Sequence, residues 1–93
     1  MIEISLKQYA PVISDEQTGL EILNLIKDAL NKDVVVVDLS DVKSMATFCA
    51  KQIFGKLYKE LGSAPFYSKI QIKNANDDLK VIIRMGIVSA LND

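Results

Sequence analysis

Histidine and tryptophan are absent from the 93 residues, and cysteine occurs once. Without histidine the chain lacks the commonest general base and the commonest metal ligand, which excludes Ser-His and Cys-His nucleophile pairs. A single cysteine cannot close an internal disulfide, and a reducing, cytoplasmic setting is expected. Four glycines leave nothing that reads as a Gly-rich phosphate cradle. No sign of charge dominates: 11 basic against 12 acidic residues give a formal net charge of −1. A dedicated nucleic-acid binder would carry a basic excess, so no nucleic-acid partner is expected. The longest unbroken apolar run, Val34 to Val37, falls far short of the roughly 18 residues that cross a bilayer. Met1–Ser5 has neither the basic start nor the apolar stretch of a signal peptide. No membrane partner is expected.

What is present is average for a globular chain, with 49% hydrophobic and 25% charged residues. There is no repeat, low-complexity stretch or Pro/Gly-rich linker, so one domain over residues 1–93 accounts for the chain.

Ile2, Ile4 and Leu6 alternate with Glu3, Ser5 and Lys7, the period of a half-buried strand. Ser14 and Gln17 have capping-box spacing, and Leu20, Leu23, Ile26 and Leu30 follow at helical spacing, predicting a helix over Asp15–Asn31. Val34–Val37, within Asp33–Leu39, suits a central strand covered on both faces. Ala46, Ala50, Ile53, Leu57 and Leu61 share one face of a second helix, Thr47–Leu61, ended by Gly62 and Pro65. Lys69–Lys73 alternates around Ile70 and Ile72 as a third strand. Asn76 then caps a third helix whose first turn carries Asp77 and Asp78. The order β-α-β-α-β-α predicts an α/β domain, its sheet mostly parallel or mixed and packed by helices. Ligands and partners of such sheets meet the carboxyl ends of the strands, here Ser40–Thr47 and Asn74–Asp78.

The run from Val34 to Gly55, VVVVDLSDVKSMATFCAKQIFG, resembles the second strand, loop and helix of the STAS-like domains. Ile72–Leu79, IKNANDDL, resembles that group's next strand and helix start, and the likeness spans about residues 14–85. These small bacterial modules are similar to the STAS domain of sulphate transporters and anti-sigma-factor antagonists. The resemblance implies a STAS-type fold, no enzymatic activity, no cofactor, and a protein partner of the kinase-like ATPase (anti-sigma) type. In the antagonists, a Ser or Thr at the start of the helix after the central strand is phosphorylated by that partner, which switches binding off. The matching stretch here is Ser44–Cys49, so the resemblance makes Thr47 and Ser44 the candidate phosphorylation sites. The Asp-Ser-Ser-Gly type of loop is replaced: Ala46 stands near the usual Asp, Thr47 near the first hydroxyl and Phe48 near the modified Ser.

Beside the resemblance, the residues suggest their own candidates. A hydroxyl at a helix start is either a plain cap or a place where phosphate meets free N–H groups. Met45, Phe48, Lys51, Lys56 and Lys59 form a candidate partner-binding surface, because charge is unevenly divided. Residues 1–42 hold three lysines and eight acids, residues 43–93 eight basic residues and four acids. Val81, Met85 and Val88 add a second apolar line to the third helix and mark a candidate homodimer face. Cys49 in the first turn of the second helix reads as a small buried residue before it reads as a reactive thiol. Asp38, Asp41, Asp77 and Asp78 read as caps and turns before they read as a Mg²⁺ or Ca²⁺ site. A small-molecule or nucleotide sensor and a self-associating subunit remain as alternative functions.

Overall fold

The computed structural model describes residues Met1 to Asp93. The strands are β1 (Ile2–Ser5), β2 (Val12–Ile13), β3 (Val35–Asp38), β4 (Ser44–Met45) and β5 (Ile70–Lys73). The helices are α1 (Glu16–Leu30), α2 (Thr47–Ala50), α3 (Lys56–Leu61), α4 (Ser63–Lys69) and α5 (Asp77–Leu91). A π-helical turn, Lys51–Gly55, joins α2 to α3, and the backbone stays helical through both junctions. The second helix therefore spans the predicted range but is wound one residue wider in its middle.

β1, β3 and β5 form an all-parallel sheet in the order β1-β3-β5. Each crossover steps one strand in the same direction, so right-handed connections place α1 and the α2–α4 segment on the same side of the sheet. Register confirms it. Ile2, Val35 and Ile70 stand abreast, as do Ile4, Val37 and Ile72, and this face packs under the helices. The opposite face presents Glu3, Ser5, Asp38, Gln71 and Lys73, with Val36 between Glu3 and Gln71. Val36 is buried yet stands outside the main core cluster. The ion pair between Lys73 and Glu3, 3.4 Å, spans the central strand on that side. β3 is thus central and buried on both faces, as expected, with helices on one face and flanking polar side chains around Val36 on the other.

Local signals explain most boundaries. Asp15 caps α1, accepting from the Thr18 amide at 3.0 Å and its hydroxyl at 3.3 Å. The cap is therefore one residue later than the Ser14–Gln17 box. The buried stripe of α1 is Gly19, Ile22, Leu23, Ile26 and Ala29, while Leu20 and Leu25 face solvent. α4 was not foreseen, because Pro65 reads as a helix terminator. In the structure Gly62 precedes α4 and Pro65 sits in its first turn, where the missing N–H has no intrahelical partner to lose. β2 and β4 pair in parallel, Val12 with Ser44 and Ile13 with Met45.

α5 packs across the second helix, and two glycines make the crossing close. A Cβ on Gly86 would lie 2.6 Å from the Ala50 carbonyl carbon and the Lys51 nitrogen. A Cβ on Gly55 would lie 2.6 Å from the Gly86 carbonyl oxygen. The π turn begins at this contact. No helix is long and apolar enough to cross a membrane.

Candidate functional site

At the carboxyl end of the sheet the two loops are tied together by asparagines. The Asp38 carboxylate accepts from the Ser40 amide (2.9 Å), the Ser40 hydroxyl (2.7 Å) and the Asn74 side-chain amide (3.0 Å). Asn74 and Asp41 both have positive φ, a conformation Asn and Asp tolerate better than other side-chain-bearing residues. Asn76 works in both directions: Oδ1 accepts from the Leu79 amide at 2.8 Å and caps α5, while Nδ2 donates to the Lys43 carbonyl at 3.0 Å. The Asn-Ala-Asn motif thus fixes the loop before α2 relative to α5.

Donation by Asn74, then by Ser40, holds the Asp38 pKa down to about 2, from 3.8. A lowered folded pKa means stability that is present above the unfolded value near 4 and lost as pH falls toward 2. Asp38→Asn should therefore flatten the acid limb of stability. Urea midpoints at pH 5 and at pH 2.5 measure it: the wild type should lose more than the variant between them. Equal losses would mean that the network does not depend on the charge. Asp38, Asp41, Asp77 and Asp78 do not gather, and no group of three or more Cys, Asp or Glu side chains is placed to hold a metal ion.

Thr47 is the first residue of α2, exposed, after Ala46, whose side chain makes no capping bond. Ser44 lies instead in β4, half-buried, its amide donating to the Pro11 carbonyl. Met45 is corrected as a surface candidate: alternation in β4 turns it inward, and it is 2% exposed in the core. Phe48 stands out of the first turn of α2 at 52% exposure. It borders a shallow cavity of about 450 Å³ together with Lys51, Gln52, Lys56 and Lys59. Lys51 is engaged, bonded to Asp93 at 2.8 Å, and that bond lowers the Asp93 pKa. Lys56 and Lys59 make no ion pair. Gln52 donates to the Glu16 carbonyl at 3.2 Å, and its Oε1 is buried without a partner.

Cys49 lies fully buried beneath this surface, its thiol 3.6 Å from the Asp15 carbonyl. Burial, with the Asp15 charge second, pushes its pKa up. The helix start does not make a thiolate here.

Val81, Met85 and Val88 are each more than half exposed on α5. Val88 borders a second, larger groove, between α5 and α4, while Val81 and Met85 stand outside it. Sequence reasoning does not assemble this groove, because one wall is α4, with Phe66 and Tyr67.

No curated protein and no solved structure matches the chain. A family model does: residues 18–80 match the STAS-like domain of unknown function (DUF4325). That stretch takes in most of α1, β3, the Phe48 surface, β5 and the Asn-Ala-Asn motif. The parallel α/β sheet with its helices on one side agrees with such a fold. The chain belongs to the STAS-like domain family.

Proposed function

We propose that this domain is a non-enzymatic interaction module, similar in role to an anti-sigma-factor antagonist. It docks a kinase-like ATPase through the surface around the start of α2. The observation that carries this reading is Phe48, an aromatic ring half out of the fold at the first turn. Unpaired Lys56 and Lys59 stand further along the same helical surface. A large exposed aromatic with a polar, solvent-accessible surround is the usual make-up of an interface anchor and its rim. Burying that ring against a partner removes apolar area from water, at roughly 25 cal/mol per Å².

The sharper form adds a switch at Thr47. Its exposed hydroxyl lies next to Phe48, and a phosphate there would bring about −1.5 to −2 charges to the centre of the docking surface. Ser44, half-buried in a strand pair, fits that role less well.

Pull-down of the tagged protein from its native cell, read by mass spectrometry for partners and phosphosites, supplies the binding partner for the test. Phe48→Ala should weaken that complex at least about tenfold, the loss typical of an anchor residue. Lys56→Glu with Lys59→Glu should slow association. All three positions line the surface rather than the core, so Tm should hold. Unchanged affinity in both variants would overturn the docking surface. Unchanged regulation in Thr47→Ala would remove the switch and leave the docking.

A further inference from the structure

β5 is an edge strand, bonded only to β3. The Lys73 carbonyl accepts from the Leu39 amide, at 2.9 Å, on the β3 side. Neighbouring residues in a strand alternate, so the N–H and C=O of Ile72 point away from the sheet, toward the free edge. Edge groups of this kind are a template for a further strand.

Alongside that edge, on the helix-covered side, runs the groove of about 710 Å³. Ile72 forms its floor at the strand, Ile83, Ile87 and Val88 its α5 wall, and Phe66 and Tyr67 its α4 wall. The aromatic wall is braced. The rings of Tyr58 and Phe66 lie 5.2 Å apart, and those of Phe66 and Tyr67 5.3 Å apart edge to face. The charged residues lining the groove are Lys80 and Arg84. Both are exposed, neither is ion-paired, and no carboxylate lines it with them.

These features specify the occupant. A strand added to β5 would turn alternate side chains into the groove and satisfy Ile72's backbone, the division of labour seen wherever peptides extend a sheet. A small ligand would fill the groove and leave those backbone groups unpaired. A second copy pairing β5 to β5 would bring no carboxylate to Lys80 and Arg84, because β5, Ile-Gln-Ile-Lys, carries none. We propose that β5 and the α4–α5 groove receive an extended segment of a partner protein as a fourth strand. The side chains it turns into the groove are apolar, apart from a carboxylate that faces Lys80 and Arg84. This surface is separate from the one around Phe48 and does not depend on it.

The test is selection from a random dodecapeptide phage library on the folded full-length chain, followed by amide NMR with the selected peptide. Enriched sequences should carry apolar residues at alternate positions, with a carboxylate at one of those same positions. The bound peptide should slow exchange of the Ile72 amide, and proline at its alternate positions should abolish binding. The double variant Lys80→Glu, Arg84→Glu, confined to exposed positions, should weaken it about tenfold. No enrichment would overturn the proposal. So would peptides that leave Ile72 unperturbed or bind the double variant equally well. A dimer that already protects Ile72 without peptide would assign the edge to a second copy and overturn the partner strand.

Discussion

Gly86→Ala should cost this domain about 2 kcal/mol, against the direction that helix propensity alone predicts. Gly86 lies well inside α5, where Ala is intrinsically favoured by about 1 kcal/mol. The new Cβ, however, would fall 2.6 Å from two backbone atoms of the second helix and 2.8 Å from the Ala50 Cβ. Backbone in a packed helix cannot swing aside as a side-chain end can, so α5 must move off the core. Overpacking of this sort costs about 1–3 kcal/mol and occasionally more, and the upper part of that range outweighs the propensity gain. At about 4–8 °C per kcal/mol for a domain of this size, Tm should fall by roughly 10 °C. Gly19→Ala is the control. Its Cβ would meet the Gln52 side-chain oxygen at 2.1 Å, the far end of a flexible chain that already lacks a partner for that atom. That variant should be neutral or slightly stabilising. If Gly86→Ala melts at or above the wild-type temperature, the helix crossing is looser than these distances imply.

The same crossing shows which parts of the structure were readable in sequence. Asn76 as the cap of α5 was legible because a cap is a local event, a side chain meeting an amide three residues on. β3 and its burial on both faces were legible from four consecutive valines, but what covers each face was not. A short apolar run does not reveal what packs on each face, and Val36 is screened by Glu3 and Gln71 from neighbouring strands. β2 and β4 have two residues each, too few for any period, and they exist only through pairing with one another. That non-local pairing is what turns Met45 inward, so its role as a surface residue was misread. The π turn has the same apolar spacing as an α-helix until the partner helix is in place. The exposure of Phe48, Lys56 and Lys59 is legible because charge and a helix start are visible in one dimension. The groove beside β5 was not, since it needs α4, and Pro65 concealed α4.

Gly62→Ala is the second large effect, and its cause is conformational alone. Gly62 joins α3 to α4 with φ 86° and ψ 168°, a combination open essentially only to glycine. Space is not the obstacle, because the nearest atom to a Cβ there would be the Pro65 Cδ at 4.0 Å. Holding an L-residue in that region costs on the order of 1–3 kcal/mol. Gly62→Asn should fare no better: Asn tolerates the left-handed region at ψ near +47°, and the structure uses it that way at Asn74, φ 62°, but ψ 168° lies outside that well. The two variants should therefore lose similar stability in urea. A marked recovery by Asn would mean that the corner relaxes to an ordinary left-handed turn. The consequence reaches beyond stability, because this corner turns the chain back so that Phe66 and Tyr67 stack with Tyr58. A corner forced into another turn would shift the aromatic wall of the groove while leaving Phe48 and the α2 surface in place. Ring-proton shifts of Tyr58 and Tyr67 in Gly62→Ala should then move, and those of Phe48 should not.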